Sequence, residues 1–201
     1  MYVIGLTGGI ASGKSTVSKM LGKLGAAIID ADQLSREVTL PGKPAWQEII
    51  KRFGDGIIEP GGEINRKRLG QIIFADSQAR FDLEQITHPR IEAETMAAII
   101  RAEQNGCTVA VLDAPLLIEV AWHHKTDSVW VVFVNEQTQL ARLKLRDNIS
   151  YEDAVARIQA QMTLREKLNY ADVIIDNNGT LENTKAQVLA AWQRIKLLQQ
   201  S

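Results

Sequence analysis

The chain has 201 residues, of which 45% are hydrophobic and 23% charged, and its formal net charge is −1. This length supports one full hydrophobic core with a small insert rather than several large domains. The balanced charge gives no overall basic field, so neither a nucleic acid nor an anionic membrane surface is an expected partner. No apolar run approaches the roughly 18 residues of a membrane span and no signal-peptide pattern opens the chain, which predicts a cytoplasmic protein.

Apolar strand patterns alternate with helical patterns along the chain. Residues 2–7 predict a strand, and Lys14–Leu24 predicts a helix with one apolar face. Later apolar runs predict strands at 26–30, 107–113, 128–134 and 171–176, and helical patterns cover 136–146 and 181–198. Continuous Val- and Ile-rich runs are typical of strands buried on both faces, so we expect a five-stranded parallel α/β sheet with crossover helices.

Two regions interrupt this alternation. Residues 35–105 contain no convincing strand pattern and predict a helical insert, with a long helix that begins near Pro89, because proline suits the first helical turn. Residues 140–169 predict a polar helical pair joined at "DNIS". Ligands of open α/β sheets bind beyond the carboxyl ends of the strands, so both regions are natural covers for a site.

The stretch "GLTGGIASGKST" lies between the first strand and the first helix. Gly8 and the Gly13-Lys14-Ser15 triplet give the G-x-x-x-x-G-K-[ST] spacing in its proper strand-to-helix context, with Ala11 and Ser12 inside the loop. Glycines let backbone N–H groups surround phosphate oxygens, and the helix N-terminus adds a positive dipole end. Lys14 then reaches the β and γ phosphates, Ser15 ligates Mg²⁺, and Thr16 bonds the α phosphate. The alternative is a tight glycine turn with an exposed lysine.

Three acidic residues follow predicted strands. Asp113 ends the run "VAVLD", where a carboxylate either orients the magnesium shell or caps the next segment. Asp30 and Asp32 follow the second strand, and phosphoryl transfer to an alcohol needs a carboxylate that accepts the hydroxyl proton. Asp32 is our candidate for that role and Asp30 for the helix cap, although spacing alone allows either residue to do either job.

Basic residues also lie near the expected site. Arg142 and Arg146 are spaced i, i+4, so both guanidinium groups lie on one side of a helix, either over phosphates or on a solvated face. His88 precedes Pro89 in the insert, and its role is open on chemistry alone. A guanine-specific N-K-x-D signature does not occur in the sequence.

The chain resembles the dephospho-CoA kinase family along nearly its whole length. The first of the supporting stretches is common to P-loop proteins, and the set in this order is specific to the family. The stretches are "IGLTGGIASGKSTV", "GAAIIDADQLSREV", "ITHPRI", "DAPLLIE", "TQLARLKLRDNIS" and "ADVIIDNNGT".

The resemblance implies an ATP-dependent transfer to the ribose 3′-hydroxyl of dephospho-CoA, with Mg²⁺ as cofactor. It implies a P-loop core at 1–34, 106–139 and 170–201, a CoA-binding insert at 35–105 and a mobile lid at 140–169. By the same resemblance, Asp32 contacts the acceptor hydroxyl, His88 belongs to the acceptor pocket, and Arg142 and Arg146 are lid arginines near the nucleotide. Asn177 is expected near the adenine.

Two positions depart from the family pattern, and one of them is Ala114, where a bulkier apolar residue is typical and we expect only a difference in packing. The other is Ala11, which stands where the family most often has glycine. An alanine fits there only if the residue needs no positive φ, and we expect the loop to tolerate it without loss of binding because the rest of the motif is intact. Two rival functions stay open from the sequence: another small-molecule P-loop kinase, and a nucleotide-binding regulatory module that transfers nothing. No sequence pattern specifies an oligomeric state.

Overall fold

The structure is a computed structural model that describes residues 1–199. The chain divides into two compact units, one formed by Met1–Ile29 with the residues from Ala102 onward, the other by Asp30–Arg101. None of the helices within residues 1–199 combines the length and the apolar character needed to cross a bilayer.

Five strands form one sheet in the order β2-β3-β1-β4-β5. Three of its neighbouring pairs, β1 with β3, β1 with β4, and β4 with β5, are parallel, which confirms the predicted parallel α/β sheet. All of β3 and nearly all of β4 are buried, as their continuous apolar sequences require. The strands are β1 (Tyr2–Gly8), β2 (Ala27–Asp30), β3 (Val109–Asp113), β4 (Ser128–Phe133) and β5 (Val173–Asp176).

The first unit carries helices α1 (Lys14–Lys23), α6 (Glu136–Asp147), α7 (Tyr151–Gln159), α8 (Leu164–Lys167) and α9 (Leu181–Leu198). Helices α1 and α9 pack against the sheet in one apolar core, to which Leu21, Trp130 and Trp192 contribute. Each fully buried side chain of this size stabilises the fold by about 1.5–3 kcal/mol. Helix α9 has the predicted bounds, and it begins at Leu181 because the Thr180 side chain accepts a hydrogen bond from the Asn183 N–H.

The register of the sheet positions the glycine-rich loop. Leu6 of β1 lies opposite Asp113 of β3, and the Ala114 N–H donates to the Leu6 carbonyl over 3.0 Å. Parallel strands present their carboxyl ends at one edge of a sheet. The loop after β1 and the carboxylate at the end of β3 therefore meet at that edge.

The second unit contains α2 (Ala31–Glu37), α3 (Pro44–Phe53), α4 (Arg66–Ala75) and most of α5 (Ser77–Gln104). Its own core is a cluster of Ile49, Ile57, Ile64 and Leu69. The unit begins and ends about five residues before the predicted bounds of the insert. The division into core, insert and lid stays a prediction.

The prediction that a helix begins near Pro89 is wrong, because Pro89 lies inside α5. A proline in a helix removes one N–H donor and leaves carbonyls of the preceding turn short of partners. The acceptor that a donor at position 89 would reach is the Gln85 carbonyl, four residues earlier. The Thr87 hydroxyl donates to Leu83 over 2.8 Å and the Arg90 guanidinium donates to Ile86, so these two bonds do not replace the lost one. Helix α5 continues through the proline in spite of this loss.

Candidate functional site

The loop between β1 and α1 requires glycine at two positions. A Cβ on Gly8 would lie 2.5 Å from Ser12 Oγ and 2.9 Å from the Val132 carbonyl oxygen. Gly13 has φ 91°, and a Cβ there would overlap the Asn177 side-chain amide. Side chains at these positions would force the loop open. Close backbone packing, together with the left-handed conformation at Gly13, thus explains both glycines of the motif.

The condition for an unstrained alanine at position 11 is not met, because Ala11 has φ 58°, in the left-handed region. A Cβ in this conformation costs about 1–2 kcal/mol, since it crowds the following carbonyl oxygen. The reversal of the loop requires this backbone conformation whichever residue occupies the position. Glycine at position 11 would adopt it without that cost.

Side chains from distant parts of the chain hold the loop. The Gln139 side-chain amide donates to the Ile10 carbonyl over 2.9 Å, and Gln161 Oε1 accepts from the Ile10 N–H over 3.0 Å. Asn177 Nδ2 donates to the Ser12 carbonyl over 2.8 Å. Three side chains from other parts of the chain thus hold the loop in this conformation.

Asn177 is itself held on the loop by a network of hydrogen bonds. Its Oδ1 accepts from the Thr184 hydroxyl over 2.8 Å, and its carbonyl accepts from Arg142 Nη2 over 2.9 Å. Asn177 and Thr184 are both buried. The structure therefore gives Asn177 a role in holding the loop that the sequence did not reveal, and its contact with adenine stays a prediction.

Lys14 and Asp113 form an ion pair beside the loop. The lysine side chain is 19% exposed and the aspartate 7% exposed, so the pair is only partly open to solvent. Helix α1 begins immediately after Gly13 and has neither a side-chain cap nor an acidic residue in its first turn. Uncapped N–H groups, the helix dipole and an adjacent lysine make this helix start suitable for an anion.

The two hydroxyl residues of the motif follow Lys14 on the first turn of α1. Ser15 is exposed, and Thr16 is half-buried. A carboxylate and an exposed hydroxyl beside a strand end supply the hard oxygen ligands that suit Mg²⁺. Ser15 and Asp113 are thus available as oxygen donors at the loop.

The two predicted lid arginines have different surroundings on α6. Arg142 lies beside Gly13 and donates to Asn177 as described. Arg146 lies one turn further along and donates to both carboxylate oxygens of Asp147, over 2.7 and 3.1 Å. This hydrogen bonding raises the pKa of Arg146. Arg157 of α7 shares the same carboxylate over 2.7 Å, so Asp147 links α6 to α7.

A buried lysine, which the sequence analysis did not single out, lies close to this site. Lys167 at the end of α8 is fully buried, and its ammonium group donates over 2.8 Å to the Pro115 carbonyl and to both oxygens of Glu119. Burial lowers the pKa of Lys167, the Glu119 carboxylate opposes this shift, and the charge of Lys14 adds to it. Lys167 thereby ties α8 to the segment that follows Asp113.

The remaining predicted residues belong to the second unit. The Asp30 carboxylate accepts from the N–H groups of Asp32 and Gln33 over 2.9 and 3.1 Å, so Asp30 is the cap of α2. Asp32 is exposed in the first turn of this helix. His88 is half-buried in α5. The structure thus resolves the ambiguity of the cap, and the acceptor roles of Asp32 and His88 stay predictions.

Replacing Ala11 with glycine should raise the free energy of unfolding by about 0.5–1 kcal/mol. The substitution removes a left-handed cost of about 1–2 kcal/mol and adds about 0.5–1 kcal/mol of chain entropy in the unfolded state. Urea denaturation measures the difference. Ala156→Gly, at an exposed position in α7, is the matched control and should lose about 1 kcal/mol. Equal destabilisation by the two substitutions would contradict a strained Ala11.

Replacing Lys167 with methionine should lower the free energy of unfolding by about 2–3 kcal/mol, because three charge-assisted hydrogen bonds are lost. Glu119 is 21% exposed, which limits the cost of leaving its charge unpaired. Urea denaturation of Lys167→Met and of Lys185→Met, an exposed lysine on α9, gives the comparison. The loss should be partly recovered in Lys167→Met/Glu119→Gln. Indistinguishable stabilities for the two single variants would show that the cluster does not stabilise the fold.

Comparisons with known proteins agree with this geometry. The family model described as dephospho-CoA kinase matches residues 2–183. A dephospho-CoA kinase of Symbiobacterium thermophilum is 50% identical over 96% of this chain and 81% of its own length, and one of Geobacter sulfurreducens is 49% identical over 96% and 98%. The solved dephospho-CoA kinase of Campylobacter jejuni is 29% identical, with a TM-score of 0.72 over 96% of each chain. The chain belongs to the dephospho-CoA kinase family.

Proposed function

We propose that this chain transfers the γ-phosphoryl group of ATP to the ribose 3′-hydroxyl of dephospho-CoA, giving CoA and ADP. Its family catalyses the final, ATP-dependent step of CoA biosynthesis. The observation that carries the proposal is the anion site at the start of α1, where Lys14 and Asp113 pair beside a loop held open by Gln139, Gln161 and Asn177. Such a site provides the phosphate cradle that a kinase needs.

The nucleotide phosphates bind to backbone N–H groups of the loop and of the first turn of α1, those of Ala11, Gly13, Lys14 and Ser15, and the Thr16 hydroxyl bonds the α phosphate. Lys14 exchanges its contact with Asp113 for the β and γ phosphate oxygens, which carry more negative charge than one carboxylate. Arg142 lies beside Gly13 and adds a second cation to the phosphates, and Arg146 joins it when its guanidinium leaves Asp147. Fixed cations lower the barrier because charge redistributes over the transferred group in the transition state.

The oxygen donors at the loop fit Mg²⁺. The Ser15 hydroxyl would hold the ion directly and Asp113 would hold its bound water, since hard oxygen ligands and retained waters are what Mg²⁺ prefers. When bound, the ion neutralises charge on the β and γ phosphates. The residues of this chain orient those phosphates around it.

Asp32 acts on the acceptor. Its carboxylate accepts the proton of the 3′-hydroxyl as the bond from that oxygen to the γ-phosphorus forms and the bond to the β,γ-bridging oxygen breaks. ADP leaves with the electron pair of the broken bond. Asp32 is exposed on α2, and Asp30 keeps this helix start in place, so the base is presented on a capped turn. His88 contributes to the acceptor pocket.

The proposed partners are small molecules alone, without nucleic acid or membrane. The formal net charge of −1 supports this part of the proposal, because it provides no overall attraction for a polyanion. A cytoplasmic location follows from the proposed use of ATP and a soluble acceptor.

Coupled ADP release with Mg²⁺ and ATP tests the proposal. Dephospho-CoA should stimulate turnover strongly over the background without acceptor, whereas AMP and shikimate should not, and the product mass should increase by one phosphate on the ribose. Stronger stimulation of turnover by a different acceptor would leave the assignment of the phosphate site standing and would refute the assigned substrate. Slow hydrolysis unaffected by every acceptor would favour the nucleotide-binding regulatory module.

Asp32→Asn should reduce kcat by about 100-fold or more while the Kd for ATP stays within about twofold, because the change removes a proton acceptor and leaves the phosphate site unaltered. Asp30→Asn is the matched control, since asparagine also caps helices and the same charge is lost two residues away. Steady-state kinetics and nucleotide titration provide the two readouts. Near-normal kcat in Asp32→Asn would remove this residue from the mechanism.

A further inference from the structure

A small cavity in the second unit has two arginines in its wall. Its volume is 210 Å³, and its polar lining consists of Arg36, Thr39, Glu63 and Arg66, with three apolar side chains completing the wall. Pockets that enclose a whole drug-sized ligand start at about 300 Å³. This cavity is therefore suited to one small group of a larger molecule.

The arginines come from two different helices and are held close together. Arg36 lies in the last turn of α2 and Arg66 is the first residue of α4. Arg66 Nη2 donates to the Thr39 hydroxyl over 2.7 Å, which fixes its guanidinium at the cavity. Burial lowers the pKa of Arg66, and the neighbouring charge of Arg36 lowers it further, so the two cations repel one another.

The start of α4 is electrostatically unusual for a helix of ten residues. Its first turn carries Arg66, Lys67 and Arg68 and no acidic residue. Cations are disfavoured at a helix N-terminus, because the dipole there is already positive. The single carboxylate in the cavity wall, Glu63, offsets only one of the two arginine charges. An anionic ligand would relieve both the repulsion between the arginines and the conflict with the dipole.

The cavity continues the helix face that carries Asp32. Asp32 and Arg36 are spaced i, i+4 on α2, and Thr39 follows at i+7, so the three residues share one side of this segment. One helical turn spans about 5.4 Å. In a ribonucleotide, the 3′-hydroxyl is separated from the 5′-phosphate by part of the sugar ring and one methylene group, a span of similar size.

We propose that the cavity between Arg36 and Arg66 binds the 5′-diphosphate of the acceptor while Asp32 contacts the 3′-hydroxyl of the same ribose. This inference rests on the proposed function and extends it to the part of the acceptor that does not react. Guanidinium groups bind phosphate oxygens through paired N–H donors, and two of them match the two phosphoryl groups. Glu63 limits the affinity, so that the product is released.

Substitutions that remove either a positive or a negative charge from the cavity wall test this inference. Arg36→Gln and Arg66→Gln should each raise the KM for dephospho-CoA by about tenfold and leave the KM for ATP within about twofold. Glu63→Gln should lower the KM for dephospho-CoA by about two- to fivefold, because it removes a charge that repels the anion. Lys67→Gln is the matched control: it removes a cation next to Arg66 that does not line the cavity, and it should change neither KM by more than about twofold.

Two further measurements identify the anion. Inorganic pyrophosphate should compete with dephospho-CoA in the unmodified enzyme and compete at least tenfold less well in Arg36→Gln/Arg66→Gln. Weaker pyrophosphate inhibition at an unchanged KM for dephospho-CoA would mean a site for free anions and would overturn the inference. Equal effects of Lys67→Gln and Arg66→Gln on the KM for dephospho-CoA would also overturn the inference. A raised KM for dephospho-CoA in Glu63→Gln would do the same.

Calorimetric binding of dephospho-CoA without ATP separates this inference from the proposed function. Should the unmodified chain bind dephospho-CoA without phosphorylating it, the proposed reaction fails, and the arginine substitutions still test the cavity through the Kd. Should phosphorylation proceed normally in both arginine variants, the reaction stands and the cavity assignment fails.

Discussion

The structure depends on the way the loop after β1 is held. The Ser12 N–H donates to the Gly9 carbonyl over 3.1 Å within the loop, and side chains from other parts of the chain add further hydrogen bonds to it. Gln139 and Gln161 hold the two sides of Ile10, and Asn177 holds the Ser12 carbonyl. Helices α6 and α9, with the segment between them, are arranged so that these side chains reach the loop.

A second constraint is the distribution of buried charge around the strand ends. Lys14 pairs with Asp113, and Lys167 is bound by Glu119 and the Pro115 carbonyl. A buried cation contributes to stability only when its donors are satisfied, and the three bonds of Lys167 meet that condition. Because Pro115 lies two residues after Asp113, the Lys167 contacts also restrain the backbone that carries this carboxylate. The packing of α8 therefore affects the position of the Asp113 carboxylate that pairs with Lys14 beside the loop.

Much of the fold was predictable from the sequence, and the reasons for the differences are physical. Continuous apolar runs gave the strands, and helical periodicity gave both ends of α9, whose Thr180 cap only the structure shows. Pro89 misled because a proline suits the first helical turn, whereas here it lies inside a helix of 28 residues that continues across it. The positive φ of Ala11 was not predictable, because the closure of the loop, rather than the residue's own preference, determines its backbone conformation.

The candidate site was only partly predictable from the sequence. Gly8, Gly13, Lys14 and Ser15 follow from one local motif, and the structure accounts for each of the two glycines by a close approach or a positive φ. The roles of Gln139, Gln161 and Lys167 were not predictable, since polar residues on helices are ordinary until the register of the sheet brings them to the loop. Asp30 could be separated from Asp32 only by its hydrogen bonds to the start of α2.

The contact between Asn177 and Ser12 joins residues 165 positions apart in the chain. Contacts of such long sequence separation carry a large cost in loop-closure entropy. During synthesis the glycine-rich sequence is therefore made well before the residue that holds its Ser12 carbonyl. This hydrogen bond can form only once the chain has been synthesised as far as Asn177.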